Sequence, residues 1–111
     1  MKVINITISL IIATVLISCN SIANRKTETF KVYGNCGMCK KTIEKSLNHE
    51  GIEASWNKDS KMITVSYDSL KYTNTQVNTF IAASGYDTEM NTGNDTAYNN
   101  LHECCKYERK K

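Results

Sequence analysis

The sequence predicts a small α+β domain, two helices covering one face of a four-stranded antiparallel sheet, followed by a cysteine-containing C-terminal extension. Three observations predict it. Stretches with alternating apolar residues are interleaved with stretches whose apolar residues recur every three or four positions. Glycines and Asn/Asp/Ser clusters punctuate them. The 111 residues suffice for one small core and no more.

The elements follow in order. Thr29, Phe30, Lys31, Val32 and Tyr33 are strand formers, and Gly34 with Asn35 ends the run. Cys39, Ile43 and Leu47 recur every four residues while Lys40, Lys41, Glu44, Lys45 and Asn48 face outward. This is an amphipathic helix of about ten residues, stopped near Gly51. Ile52, Ala54 and Trp56 alternate with polar residues, residues 57–60 form a turn, and Ile63, Val65 and Tyr67 alternate again, making a hairpin. Thr73 and Gln76 have the spacing of a capping box, and Val77, Phe80 and Ile81 mark the inner face of a second helix. Gly85 stands where a helix ends in a left-handed residue, and residues 86–90 make a short final strand. The order is βαββαβ, the ferredoxin-like sandwich, spanning residues 28–90. Its expected core is Phe30, Val32, Ile43, Leu47, Ile52, Trp56, Ile63, Val65, Val77, Phe80 and Ile81. Residues 91–111 form a polar linker and a Cys-Cys tail. There, Ala97, Leu101 and Cys104 or Cys105 fall at helical spacing, so a short helical turn is expected to pack the tail back onto the domain.

Ahead of this domain, Met1 and Lys2 give a positive start and residues 3–17 are almost wholly apolar. The run is short for a membrane span and fits the apolar part of a secretory signal. It ends in Leu16, Ile17, Ser18 and Cys19, which resembles the lipobox of bacterial lipoproteins. The resemblance implies a signal peptide over 1–18, a lipid on the Cys19 sulfur, a tether over 19–27 and a membrane-anchored domain in the cell envelope, periplasm-facing or on the outer surface. An uncleaved N-terminal anchor with a chance cysteine is the alternative, and it too leaves the domain exported and tethered.

A net charge of +3 is too weak to argue for nucleic acid. The basic residues Lys106, Arg109, Lys110 and Lys111 read as a solvated end. Paired carboxylates, a Ser-His-Asp pattern and a phosphate-binding glycine loop are all absent from the sequence, so no enzyme activity is predicted.

The chemistry sits in the cysteines. Of five, four remain if Cys19 carries lipid: the C-x-x-C of Cys36 and Cys39, and the vicinal pair Cys104 and Cys105. Cys36 and Cys39 join the first strand to the first helix, with Gly34 and Gly37 giving the loop freedom to bend. Cys39 falls in the first helical turn, where free N–H groups and the helix dipole favour a thiolate. Two such thiolates are a soft, low-coordination site suited to Cu(I), with Hg(II), Cd(II) or Zn(II) as further candidates. A disulfide or an inert buried pair is the plain alternative.

The strand, C-x-x-C and helix, the βαββαβ order, and Ser84, Gly85, Tyr86 and Asp87 after the second helix together resemble the heavy-metal-associated domain. That family includes copper chaperones, N-terminal domains of metal-transporting P-type ATPases and periplasmic mercury-binding proteins. The resemblance covers about residues 28–90 and implies Cys36 and Cys39 as metal ligands, Tyr86 near the metal, and a metal-transporting ATPase or a cuproenzyme as partner. Two features depart from the family. Gly34 stands where its loop methionine would be, and Met38 lies between the cysteines, as packing or as a weak soft ligand. The tail adds Cys104 and Cys105 as candidate ligands, with His102 as a possible imidazole; disulfide formation and free thiols are the alternatives there. His49, after the first helix, reads as solvated. The expected function is soft-metal trafficking, sequestration or detoxification. Its rivals are a thiol–disulfide oxidoreductase, against which the absence of proline speaks, and a closed four-cysteine zinc module.

Overall fold

The computed structural model describes residues 24–110. The apolar N-terminal run, the lipobox and Cys19 lie outside the described residues. Among the described residues no helix is long and apolar enough to cross a membrane.

Three strands form the sheet: β1 (Arg25–Lys31), β2 (Ile52–Trp56) and β3 (Met62–Asp68), in the order β1-β3-β2, antiparallel throughout. Phe30 faces Ile63 across the β1–β3 ladder, and Trp56 faces Ile63 across the β2–β3 ladder. Strand β1 begins earlier than the sequence reading placed it, because β3 is long enough for Asp68 to pair with Arg25. Its first residues are exposed, so the apolar pattern gives no sign of them.

One sheet face is buried and one is wet, as alternation demands. Phe30, Ile52, Trp56, Ile63, Val65 and Tyr67 point inward. Helices α1 (Gly37–Ser46) and α2 (Asn74–Ala83) bring Cys39, Ile43, Val77 and Ile81 to the same core. On the other face Thr29 and Thr64 share a hydroxyl contact at 3.3 Å, and Arg25 donates to Ser66. The capping box forms as expected: the Thr73 hydroxyl accepts from Gln76 N–H and Gln76 returns the bond to Thr73 N–H at 2.9 Å. Gly85 adopts φ +99° just past α2, the conformation only glycine takes without strain.

The expected fourth strand does not form. Residues 86–90 make a single bridge, Val32 to Thr88, with Tyr33 N–H donating to Asp87 carbonyl at 2.9 Å beside it. Thr88 explains why pairing stops there. Its hydroxyl accepts from Met90 and Asn91 N–H, and its own N–H donates to Asn91 carbonyl, so the chain turns off the sheet edge. The linker is likewise more ordered than its composition suggested. Asn94 caps a short helix, α3 (Asp95–Asn99), by accepting from Ala97 N–H at 2.9 Å.

The tail docks as a 3-10 turn, Glu103–Cys105, followed by buried Tyr107. Arg109 and Lys110, read as part of a solvated end, are instead tied down by Asp87, whose side chain is 1% exposed. That carboxylate accepts from Gly93 N–H at 2.6 Å, Lys110 N–H at 2.9 Å and the Arg109 guanidinium at 3.1 Å. Arg109 also bonds Asp95 at 2.6 Å and lies over the Tyr98 ring. Burial alone would raise the Asp87 pKa, but these donors hold it below the usual carboxylate range.

Candidate metal centre

The thiols meet at the N-terminal end of α1. Cys36 is the residue before the helix, in extended conformation (φ −143°, ψ −173°). The backbone N–H groups of Cys39 and Met38 face its sulfur and hold the Cys36 thiol below its ordinary pKa, although no closed side-chain cap forms. The spacing predicts this helix-start effect at Cys39; the structure places it on Cys36, the residue before the helix.

Cys39 is fully buried and belongs to the hydrophobic core. Its sulfur accepts from Asn35 N–H at 3.3 Å and touches the Cys105 carbonyl at 3.9 Å. The loop lies tightly on the core below it. A Cβ on Gly34 would stand 2.9 Å from Trp56 Cζ2, so Trp56, whose indole N–H donates to Val32 carbonyl at 3.0 Å, fills the room a loop methionine would need.

The tail brings the vicinal pair to this loop. The Cys36, Cys104 and Cys105 sulfurs all lie within 4.8 Å of one another. Cys104 and Cys105 sulfurs are 3.9 Å apart. Cys39, though close beneath, does not share that mutual spacing with all three. Both vicinal cysteines thus reach one point. All four thiols are free. Cys104 is exposed, whereas burial and then the neighbouring Cys39 push the Cys105 thiol up to about 12.

Neighbouring side chains complete the site. Met38 is 44% exposed, with its sulfur 3.5 Å from the Cys104 sulfur. Tyr86 is fully buried and stacks on Tyr107 at 5.3 Å. Its hydroxyl sits beside the Cys39 sulfur without a formed hydrogen bond, and burial, reinforced by that thiol, pushes the phenol pKa up. It is therefore both a packed ring and a neighbour of the thiols. His102 is exposed at the start of the 3-10 turn, and His49 is exposed but stacked on Phe80 at 4.3 Å.

Two groups were missed from sequence. Asn35 holds loop and tail together: besides its bond to Cys39, its side chain donates to Cys104 carbonyl at 3.4 Å. Tyr107 anchors the tail, its hydroxyl accepting from Asp87 N–H and donating to Gly85 carbonyl, both at 2.8 Å. A Tyr two residues after a vicinal cysteine pair in a polar tail was the available signal for Tyr107.

No protein-family profile matches the chain, and no curated protein does. Two solved structures are similar. The "CopZ metallochaperone" is 33% identical with a TM-score of 0.54, covering 57% of this chain and 98% of that one. The "putative copper-ion-binding protein from Bacillus anthracis str. Ames" is 28% identical with a TM-score of 0.55, covering 59% of this chain and 96% of that one. A third of residues identical over nearly all of the first neighbour, on the same arrangement of strands and helices, shows that this chain belongs to the family of the CopZ metallochaperone.

Proposed function

We propose that this protein binds a soft, thiophilic metal ion, Cu(I) before Hg(II), Cd(II) or Zn(II), at the thiol cluster entered by Cys36 and Cys39, and carries or withholds it in the cell envelope. The observation that carries this reading is the convergence of three free thiols, Cys36, Cys104 and Cys105, at the start of one helix, with the free thiol of Cys39 close beneath. Soft sulfur donors select Cu(I), and both similar structures are named for copper or metal handling. The proposed anchor is a lipid on Cys19, which would keep the domain at a membrane through its acyl chains rather than its charge.

A carrier of this kind works by ligand exchange, without change in the metal's oxidation state. A partner's thiolate adds to the ion, a thiolate of this chain leaves, and the leaving sulfur takes up a proton. Half-exposed Cys36 and exposed Cys104 suit that exchange. A metal-transporting ATPase or a cuproenzyme is the partner we propose.

The test is competition for Cu(I) between the reduced protein and a chromophoric chelator, comparing wild type with Cys36→Ser/Cys39→Ser. The expected result is one tightly held ion in wild type and loss of that binding in the variant, with the helical circular dichroism retained. Equal binding by the two proteins overturns the reading. Disulfide turnover at a catalytic rate by the metal-free protein would favour an oxidoreductase instead.

A further inference from the structure

The loop alone offers two sulfurs, yet three sulfurs meet at one point: Cys36 from the loop, and Cys104 and Cys105 from the tail. A metal–thiolate bond is about 2.3 Å long, so three thiolates around one ion in a plane stand about 4.0 Å apart. The Cys104 and Cys105 sulfurs are 3.9 Å apart, and all three sulfurs fall within 4.8 Å of each other. Small side-chain rotations suffice to close that triangle. Cys39 lies outside the mutual spacing, fully buried, with its sulfur already accepting from Asn35 N–H.

The tail is held by bonds from groups other than its thiols, besides the sulfur contacts already described. Tyr107 is held through its hydroxyl to Gly85 and Asp87, Arg109 is held by Asp87 and Asp95, and the Cys104 carbonyl is held by Asn35. The tail thiols are therefore in place before any ion arrives, so their ordering is not charged against binding.

We propose that Cys36, Cys104 and Cys105 form a three-thiolate site, in which the docked tail supplies two of the three ligands and the C-x-x-C loop supplies one. This rests on the soft-metal reading above and narrows its cargo to ions that accept three thiolates, Cu(I) first. The third ligand makes the protein hold its ion more firmly than a two-thiolate loop. It also orders release: Cys104 is the exposed member, so a partner's thiolate forms its bond to the ion as the Cys104–metal bond breaks. The freed Cys104 sulfur is then protonated by solvent, and the ion's charge is unchanged.

Sulfur coordination number by X-ray absorption, with Cu(I) affinity by chelator competition, tests the site in the reduced full chain and in Cys104→Ser/Cys105→Ser. Three sulfurs in wild type are expected; the double variant keeps only Cys36 of the three, so its sulfur count falls by two and its dissociation constant rises roughly 100-fold. Cys104→Ser alone, at an exposed position, lowers the count from three sulfurs to two and serves if the double variant fails to fold. Two sulfurs in wild type with unchanged affinity in the variants overturns the three-thiolate site while leaving metal binding intact. Four sulfurs around a tightly held Zn(II) overturns it in favour of a closed zinc module. Failure of wild type to bind Cu(I) overturns the underlying reading as well.

Discussion

Tyr107 and Asp87 carry the tail. The Tyr107 ring stacks on Tyr86 at 5.3 Å and meets the Tyr98 edge at 5.2 Å, while its hydroxyl satisfies one buried donor and one buried acceptor. Tyr107→Phe keeps the rings and orphans both polar groups, so it should destabilise by about 1–3 kcal/mol, read as a lower urea midpoint at unchanged slope. Asp87 gives a pH dependence. Its folded pKa is depressed against its unfolded value by Arg109 and the Gly93 and Lys110 amides, which outweigh burial. Its contribution is therefore complete above the unfolded carboxylate pKa and is lost as pH falls through the lower, folded one. Amide exchange at Gly93 and Lys110 should accelerate in that acidic window, and Asp87→Asn should abolish the acid step.

At the scale of elements, local signals were legible and long-range ones were not. The capping box at Thr73, the turn at Gly85, both helices and the 52–68 hairpin follow from residues close in sequence. Strand 86–90 was misread because Thr88 bonds forward into a turn, a choice its alternation pattern does not encode. Phe80 is only partly buried, its ring stacked on exposed His49, while Tyr67 and Tyr86 are fully inside. The C-x-x-C loop announced itself through spacing. What the vicinal pair does depended on where a tail 68 residues away would dock, and that is set by Asp87 and Arg109, two charges that look solvated in a linear reading.

For the whole molecule, the tail reaches the thiol loop by crossing a close backbone contact. A Cβ on Gly93 would lie 2.7 Å from the Gly85 backbone, and one on Gly85 would lie 2.7 Å from Tyr98 N. The segment after α2 and the segment before α3 are thus packed backbone to backbone, which fixes the path of the C-terminal residues over the core. The anchor at Tyr107 then stands one residue, Lys106, beyond Cys105. That single intervening residue works as a ruler, because the anchor fixes a point on the chain and the sulfurs are placed by counting back from it. Inserting one glycine between Lys106 and Tyr107 leaves every anchoring group present but lengthens the ruler by up to about 3.5 Å. The sulfurs sit within 4.8 Å of each other, so such a slip is on the order of the site itself. The inserted chain should keep its tyrosine near-ultraviolet dichroism and lose the tail's share of Cu(I) affinity. On the proposed three-thiolate site, metal retention is thereby a matter of spacing along the chain as much as of which residues it contains.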